Sequence, residues 1–533
     1  MRLSPGLLLS LTLFVTPLVL AGCGGGGGGG GITIGGGGGG GGGSSEVTRT
    51  YALPGFGGAQ VATAMLSYDP AATSGPAVSS TVSSTNPLAA RAGTAAETPA
   101  AVPAAEVNLS RDMPPDVQAV EDAAREQANL RLRTTGPELE SVRPRFDETV
   151  VPEGGDLSFY IATTGQSVTC RKMHADADTT DTYVFAQVVA GTPVINKATA
   201  LAIDARFGTN NPFDPNGTGI GPRVRNTFGN EWRLNGGRDG ETKVVMVLLS
   251  SNGIGGAGLY GFFRPNDEYS KAQVGTSNEG EILYMNATYF QGDMYDGLAT
   301  TAHEFQHMCN FNQKFVRDGA FTGTDELDTL NEGQSVLAEE VTGFNLSSVN
   351  GGNSFLFACA RAYLQNPQTY PFFTFANANA DYGKGYLFHK YLYDRFGAQM
   401  THTIAASTGI GRENIESATG QPFATLFREW GLANLLDPVV GTPAVYTYPG
   451  LVLEGTYTIR GMGSVVLPSA AAARTFSPPE GTATLSLGAW TNTYVRYSGG
   501  TGSTLTTTVT LPAGTNSNMV LETPAEGTYG SVQ

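Results

Sequence analysis

Apolar and polar positions divide the chain into stretches of distinct character. Residues 7–21 form an apolar run interrupted by Ser, Thr and Pro, which is too short and too broken for a stable membrane span. This pattern predicts a signal peptide over residues 1–22. The almost pure glycine run that ends at Gly43 has no side chains to bury, so residues 23–45 are predicted to form a flexible tether.

The region 46–148 carries weaker signals. Residues 47–68 predict one or two strands, and residues 69–106, rich in Ala, Ser, Thr and Pro, predict a linker. A helix is predicted over residues 115–133, where two prolines precede spaced apolar positions among charged ones. This helix is either a remnant of a pro-segment or a brace across the unit that follows it.

From 149 to 438 the pattern alternates between strands and helices. The apolar run 244–249 has the length of a strand buried on both faces, which predicts a central place in a sheet. Gly397 is the expected C-cap of the last long helix of this region. The remaining predicted elements are strands over 157–161, 182–189 and 280–290 and helices over 194–207, 297–315, 326–341 and 384–396.

The last stretch, residues 439–533, is alternating, rich in Thr and Gly and free of cysteine, which predicts an accessory β-domain. A length of 533 residues exceeds the usual size of one domain. We therefore expect an α+β fold in which a larger unit with a mixed sheet is flanked by small β-rich domains.

Composition narrows the range of partners. Lysine and arginine number 31 against 47 aspartates and glutamates, giving a formal net charge of −16. Because this charge repels phosphate backbones, nucleic acid is not expected as a partner. Only three cysteines remain besides Cys23, and no CxxC pair occurs, so neither a thiolate zinc site nor a disulfide-stapled scaffold is expected.

One motif carries chemistry. His303, Glu304 and His307 form the pattern HExxH inside the strongest predicted helix. Because an α-helix advances about 100° per residue, the two imidazoles lie on one face and converge on one zinc ion. Glu304 flanks the metal without ligating it, where its carboxylate accepts a proton from water. The alternative, two ordinary polar histidines, leaves the apolar surroundings of the motif unexplained.

A catalytic zinc site needs a third protein ligand. A third histidine six residues after the second is absent, because Gln313 stands there. The favoured candidate is Glu332, in an Asn-Glu-Gly sequence at the start of the next predicted helix. A surface glutamate at a helix start is the alternative for this residue. Glu339 and Glu340 are competitors one or two turns further on, where a solvated face is the more ordinary interpretation.

Three segments resemble the hyicolysin family of bacterial zinc metallopeptidases, which is of the gluzincin type: residues 302–308, 330–333 and 386–397. The resemblance covers roughly residues 149–438. It implies a gluzincin-like fold with active-site helices, one Zn²⁺ ion held by the two motif histidines and Glu332, and Glu304 as the catalytic base.

The chain departs from the gluzincin pattern in one respect. Some gluzincins have an acidic residue four positions after the third ligand, where it holds a ligand histidine. Here that position is Val336. We expect Asp325 or Asp328 to take this role, because the outer partner of a ligand histidine fixes the orientation of its ring.

The segment that begins at Tyr382 resembles the one that supplies a transition-state tyrosine in zinc aminopeptidases of the gluzincin group. By that resemblance Tyr382 is a catalytic residue that donates to the oxyanion. A turn tyrosine packed on the core is the alternative. His389 is a rival donor, although a lone histidine at such a place is more often structural.

Leu20-Ala-Gly-Cys23 resembles the lipobox of bacterial lipoproteins. In those proteins the cysteine is lipidated and becomes the mature N-terminus. The resemblance implies lipidation at Cys23, export, and attachment to the membrane of the cell envelope, at the outer membrane or cell surface. An ordinary signal peptide with a coincidental cysteine is the alternative.

Together these patterns predict a secreted, lipid-anchored zinc metallopeptidase that hydrolyses proteins or peptides. The strand at 283–289 is expected to pair with an extended substrate. A non-catalytic zinc-containing surface lipoprotein that acts as a binding or adhesion module is the alternative, but a structural site needs no general base. A zinc enzyme that acts on cell-wall peptides is a further alternative.

Overall fold

The computed structural model describes residues 46–86, 113–135, 145–232, 240–317, 321–437 and 439–532, apart from residues 59, 322, 349, 440, 514 and 524–527. The predicted signal peptide, the glycine tether and Cys23 lie outside the described residues. Within the described part, no helix combines the length and apolar character that crossing a bilayer requires. Helices and mixed sheets together confirm the α+β class.

The described helices are α1 (Pro115–Thr135), α2 (Lys197–Gly208), α3 (Ile220–Phe228), α4 (Ser251–Ile254), α5 (Tyr295–Phe311), α6 (Asp328–Val341), α7 (Ser354–Gln365), α8 (Asn379–Phe396), α9 (Ala398–Ala406), α10 (Gly411–Thr419) and α11 (Phe423–Leu436). The strands are β1 (Val47–Gly57), β2 (Val61–Tyr68), β3 (Val78–Thr85), β4 (Asp156–Ile161), β5 (Gln166–Lys172), β6 (Thr182–Val189), β7 (Thr192–Pro193), β8 (Val244–Leu249), β9 (Gly261–Phe263), β10 (Ile282–Asn286), β11 (Thr456–Ile459), β12 (Gly463–Val466), β13 (Arg474–Phe476), β14 (Gly481–Leu487), β15 (Thr491–Tyr497), β16 (Thr501–Leu511), β17 (Thr515–Thr523) and β18 (Thr528–Val532).

A mixed sheet of seven strands, in the order β4-β5-β6-β8-β10-β9 with β7 paired to β6, supports the predicted catalytic unit. Strand β8 runs parallel to both of its neighbours, and the other pairs are antiparallel. Every residue of β8 is buried, and its side chains alternate between the cores on the two faces of the sheet. The predicted central position of this strand is confirmed.

Helix α5 covers one face of the sheet. Its apolar side chains Leu298, Ala302 and Phe305 pack into the same core as β8 and β10, and the helix continues into a π-helical turn at Asn312–Val316. The helices predicted at 326–341 and 384–396 are present as α6 and α8, and α8 begins five residues earlier than predicted. Gly397 caps α8 with a φ of 83°, as its position predicts.

Strands from both ends of the chain form a second structural unit, which we call the terminal β-unit (β1–β3 and β13–β18). One sheet has the order β1-β16-β3-β14, and the other has the order β13-β15-β2-β17-β18. The linker prediction was wrong over Val78–Thr85, which is strand β3. The N-terminal strands, assigned from the sequence to a different domain from the C-terminal strands, pair directly with them.

The terminal β-unit shares a core with the helices that follow the metal-binding motif. The ring of Trp490, at the start of β15, lies within 5.5 Å of the ring centroids of Phe373, Phe423 and Phe427. The Tyr494 hydroxyl donates to the backbone carbonyl of Gly431 in α11 at 2.7 Å. These contacts place α11 and the terminal sheets in one hydrophobic core.

Candidate metal centre and active site

The HExxH motif lies in the middle of α5, where the surrounding elements bury it. His303 and Glu304 have no exposed surface, and His307 is 8% exposed. The two imidazoles lie one turn apart on the same face, with ring centroids 4.9 Å apart. The helix therefore presents both rings to the same point, as the spacing of the motif predicts.

Glu332 reaches this point from α6. The helix bearing it crosses α8 at two glycines, since a Cβ on Gly333 would clash with the backbone of Gly385, and a Cβ on Gly385 would clash with the carbonyl oxygen of Thr329. Glycine thus permits the close approach of the two helices next to Glu332. The Asn-Glu-Gly sequence combines the carboxylate with the residue that allows its helix to lie there.

His303, His307 and Glu332 form a buried cluster whose ligand atoms all lie within 4.8 Å of one another. Oε2 of Glu332 lies 3.3 Å from Nε2 of His303 and 3.4 Å from Nε2 of His307. Among the described residues, neither Nε2 of His303 nor Oε2 of Glu332 has a hydrogen-bond partner of adequate geometry. Two nitrogens and one oxygen of this kind are the donor set of a catalytic zinc site with a place left for water, so these residues fit a metal ion.

The electrostatics of the cluster also suit a cation. Burial alone lowers the pKa of His303, but the Glu332 and Glu339 carboxylates outweigh burial and raise this pKa to about 9. Burial alone raises the pKa of Glu332, but the two imidazoles outweigh it and hold this pKa well below its usual range. The carboxylate therefore stays ionised, and a metal ion at this cluster would compete with a proton on His303.

The outer nitrogens of both histidines are held by side chains of α6. His303 Nδ1 lies 3.1 Å from Oε1 of Glu339, whose other oxygen accepts from Asn353 Nδ2 at 2.7 Å. His307 Nδ1 lies 3.2 Å from Asn331 Oδ1 and 3.1 Å from the hydroxyl of Ser335. These contacts orient the rings so that each Nε2 faces the cluster.

The prediction that Asp325 or Asp328 holds a ligand histidine was wrong. Asp325 instead pairs with Arg125 of α1 at 3.0 Å, and within the described residues Asp328 forms no hydrogen bond with either ring. Glu339, interpreted from the sequence as part of a solvated face, is fully buried and takes that role. The role of Glu339 could have been predicted from its position. It lies seven residues after Glu332, which is two helical turns further on and on the same face of the helix.

Glu304 lies between the cluster and the edge of the sheet. Its Oε2 accepts a hydrogen bond from the backbone N–H of Phe263 in β9 at 2.9 Å. Strand β9 is the outermost strand on this side of the sheet, whereas β10 is paired on both sides. The prediction that the strand at 283–289 pairs with substrate was therefore wrong, since it has no open edge.

Tyr382 lies beside the cluster at the start of α8. Its ring centroid is 6.4 Å from that of His303, and its hydroxyl donates to Asn377 Oδ1 at 2.6 Å. His389, the rival donor, is buried one helix face away, where burial lowers its pKa to about 3. An imidazole that stays neutral and buried in this way has a structural role rather than a place at the cluster.

A cavity of about 480 Å³ opens onto His307 and Glu332. Its walls come from α1, the end of β9, the last turns of α5, the start of α6 and residues 375–377. The cavity has the size of a small ligand site and mixes apolar with polar walls, as substrate clefts do. The metal cluster is thus accessible from one side.

Comparison with known proteins gives one partial likeness. Over 114 residues the chain is 31% identical to the neutral metalloprotease ShpI of Staphylococcus hyicus. The match spans 20% of this chain and a quarter, 25%, of the length of that protein. No family model matches the chain. The likeness indicates a relationship to a metalloprotease, and the buried His-His-Glu cluster is compatible with a metal ion.

Proposed function

We propose that this chain is a zinc metallopeptidase of the hyicolysin type, exported and held at the bacterial cell envelope by a lipid on Cys23. The observation that carries the proposal is the buried convergence of His303, His307 and Glu332. The partial likeness to a neutral metalloprotease supports proteolysis as the activity. The lipid anchor rests on the lipobox-like sequence that ends at Cys23.

In this proposal the two motif histidines and Glu332 hold the ion, and Glu339 and Asn331 fix the histidine rings. A bound zinc ion supplies Lewis acidity, which polarises the scissile carbonyl and lowers the pKa of water toward neutrality. Glu304 accepts the proton of the attacking water and passes it to the leaving amine. Its hydrogen bond from Phe263 holds the carboxylate in place for this transfer.

Tyr382 is the proposed donor to the oxyanion. Its hydroxyl now donates to Asn377, so substrate binding has to redirect it from the amide to the developing charge. The aromatic rings of Phe355 and Phe375 pack on both sides of the tyrosine and restrict its motion. A Tyr382→Phe variant separates this role from packing, since only the hydroxyl is removed.

The outer side of β9, the last strand of the sheet beside Glu304, is the proposed place for the substrate backbone. An extended peptide adds to such an edge as one more strand, with main-chain hydrogen bonds supplying affinity. The N–H of Phe263 points from β9 to Glu304, so a peptide on this edge passes beside the catalytic carboxylate.

The test compares the wild type with Glu304→Gln and Glu332→Ala in casein hydrolysis and in zinc content. Glu304→Gln should lose at least a hundredfold in rate and keep its zinc, because only the base is removed. Glu332→Ala should lose both zinc and activity. Unchanged proteolysis in Glu304→Gln would refute the mechanism. Zinc bound by a wild type that hydrolyses nothing would favour the non-catalytic binding module.

The anchor is tested separately by partition of the full chain between detergent and water. The wild type should enter the detergent phase, and Cys23→Ser should stay in the aqueous phase because the lipid attachment atom is missing. Mass measurement of the N-terminal peptide then identifies the lipid. An unmodified Cys23 within an uncleaved or differently cleaved leader would contradict the anchor and leave the peptidase proposal intact.

A further inference from the structure

The outer half of the active-site cavity lies between α1 and the start of α6. Asp122 and Arg125 of α1 face Asp325 and Asp328 across this part of the cavity. The inner half ends at His307 and Glu332. One continuous space therefore joins the metal cluster to a rim formed largely by carboxylates.

Two buried atoms indicate that this space receives a ligand. Oε2 of Glu332 and Nδ2 of Asn310 line the cavity region, and neither has a hydrogen-bond partner among the residues that the structure describes. Asn310 is 3% exposed and lies in α5 one turn after His307. A metal ion would be the partner of Glu332 Oε2. The buried Nδ2 of Asn310 is a hydrogen-bond donor and needs an acceptor, such as a peptide carbonyl.

The charge of the rim points to a cation. Among the described residues that line the cavity, Arg125 is the one cation beside Asp122, Asp325 and Asp328, and it binds the first two at 2.8 Å and 3.0 Å. Within the described part of the chain, the side chain of Asp328 forms no ion pair and no hydrogen bond.

A fourth carboxylate in the wall, Glu326, is already compensated. It lies 3.7 Å from Lys314 and accepts from the backbone N–H of Gly411 at 2.7 Å. The uncompensated negative charge therefore belongs to the rim rather than to the wall.

Helix α1 is fixed against the catalytic unit by buried polar contacts. Glu121 binds the buried guanidinium of Arg264 at 2.8 and 3.2 Å, and its backbone carbonyl accepts from Asn266 at 2.9 Å. The Tyr269 hydroxyl donates to Asn129 at 2.7 Å, further along the helix. The carboxylate of Asp122 is thus held at the cavity by a rigid support.

We propose that the rim formed by Asp122, Asp325 and Asp328 is a subsite for a cationic side chain, lysine or arginine, of the peptide substrate next to the scissile bond. This inference rests on the proposed peptidase function and adds a substrate class to it. The long apolar stem of either side chain passes along Phe263 and Phe311 of the cavity wall, and its charged end reaches the rim.

The experiment measures kcat/KM of the zinc-loaded full chain on quenched peptides that differ only in one residue beside the scissile bond: lysine, norleucine or glutamate. The lysine peptide should exceed the norleucine peptide about tenfold, which is the usual effect of a charge-assisted contact. In Asp122→Asn, Asp328→Asn and the double variant the lysine-to-norleucine ratio should fall, to near one in the double variant. Raising the salt concentration should lower the ratio in the wild type and leave it near one in the double variant.

Asp156→Asn is the matched control. Asp156 is exposed to a similar degree as Asp122, 42% against 47%, and also pairs with an arginine, but it lies in β4 away from the cavity. It should keep the wild-type ratio. Because Asp328 lies one turn before Glu332, zinc content is measured in each variant. If Asp328→Asn loses metal, the result for Asp122→Asn, which lies in another helix, decides the test.

The outcomes separate the two proposals. Hydrolysis of all three peptides with a ratio near one, or with a ratio that the double variant keeps, overturns the cationic subsite and leaves the peptidase function standing. Failure of the zinc-loaded wild type to cleave any of these peptides or casein overturns the peptidase function, and the subsite is overturned with it.

Discussion

The helices around the metal cluster and the strands of the terminal β-unit are stabilised in different ways. In α5 and α6, buried polar groups are paired in a chain that runs from His303 through Glu339 to Asn353. In the terminal β-unit, Trp490 and Tyr494 connect the sheets to α11 mainly through aromatic packing. The first region is organised by local helical spacing, and the second by contacts between residues distant in sequence.

The largest expected effect tests whether the two regions share one core. Trp490→Ala removes a ring that contacts Phe373, Phe423 and Phe427, so we expect a loss of about 3–5 kcal/mol in the free energy of unfolding. Denaturant unfolding followed by far-UV circular dichroism and by casein hydrolysis should show one transition, shifted in both signals. Val466→Ala, at a position 48% exposed on β12, should shift neither. A loss of stability confined to the terminal strands, with unchanged stability of the unit that contains α5 and α6, would show that the terminal β-unit is an independent domain.

A smaller effect is expected where α6 meets α8. Gly333→Ala places a methyl group against the backbone of Gly385, and the helices must separate. We expect a loss of about 1–3 kcal/mol, which is typical of overpacking, despite the better helix propensity of alanine. Zinc affinity measured by competition with a chelator should fall as well, since Glu332 moves with its helix.

The control for this substitution is Gly275→Ala, at a glycine with open space around it and an ordinary φ. It should change neither stability nor zinc affinity. Full stability and zinc affinity in Gly333→Ala would mean that the close helix crossing does not position the ligand.

The polar chain behind His303 gives the next prediction. Glu339→Gln keeps the shape of the side chain and removes the negative charge from the partner of the imidazole. Loss of such an outer partner lowers metal affinity about 10- to 100-fold. Glu340→Gln, on the adjacent position facing Tyr386 and Lys390, should leave zinc affinity unchanged. Equal zinc affinities of the two variants would show that Glu339 does not support the zinc site.

The last prediction concerns acid, whose effect stays small near neutral pH. Burial lowers the pKa of His389 from 6.5 to about 3, so the folded state keeps this imidazole neutral where the unfolded state takes up a proton. The stability that depends on this difference is fully present above pH 6.5 and is lost as the pH falls toward 3, by about 1.4 kcal/mol per pH unit. Urea titrations of the metal-free chain between pH 7 and 4.5 should show a flatter slope in His389→Gln than in the wild type. Parallel slopes would contradict the conclusion that His389 stays neutral in the folded state.

The sequence predicted those parts of the molecule whose cause is local. A fully apolar run suffices to place β8 inside a sheet, and the helical spacing of His303 and His307 suffices to bring their rings together. Glu332 was also predicted, because Asn331-Glu332 at a helix start resembles the third-ligand segment of the gluzincin metallopeptidases. The structure brings these three residues into one cluster.

The parts that the sequence did not predict depend on distant or cooperative contacts. Strand β3 is made of Val, Ser and Thr, and only pairing with β14 and β16 distinguishes such a segment from a linker. The role of Glu339 was missed because the gluzincin pattern places the acidic partner at the position of Val336, one turn after Glu332. Strand β9, the last strand of the sheet beside Glu304, was missed because three residues give no periodic signal.

The pairing of the two chain ends has a consequence for the order of assembly during synthesis. Ser67 of β2 donates to Asn492 of β15, across 425 positions of sequence, so β2 leaves the ribosome long before either of its neighbours exists. Closing so long a loop is slow compared with forming nearby helices. The aromatic interior beneath Trp490 thus closes only once strands β15 and β17 have been synthesised.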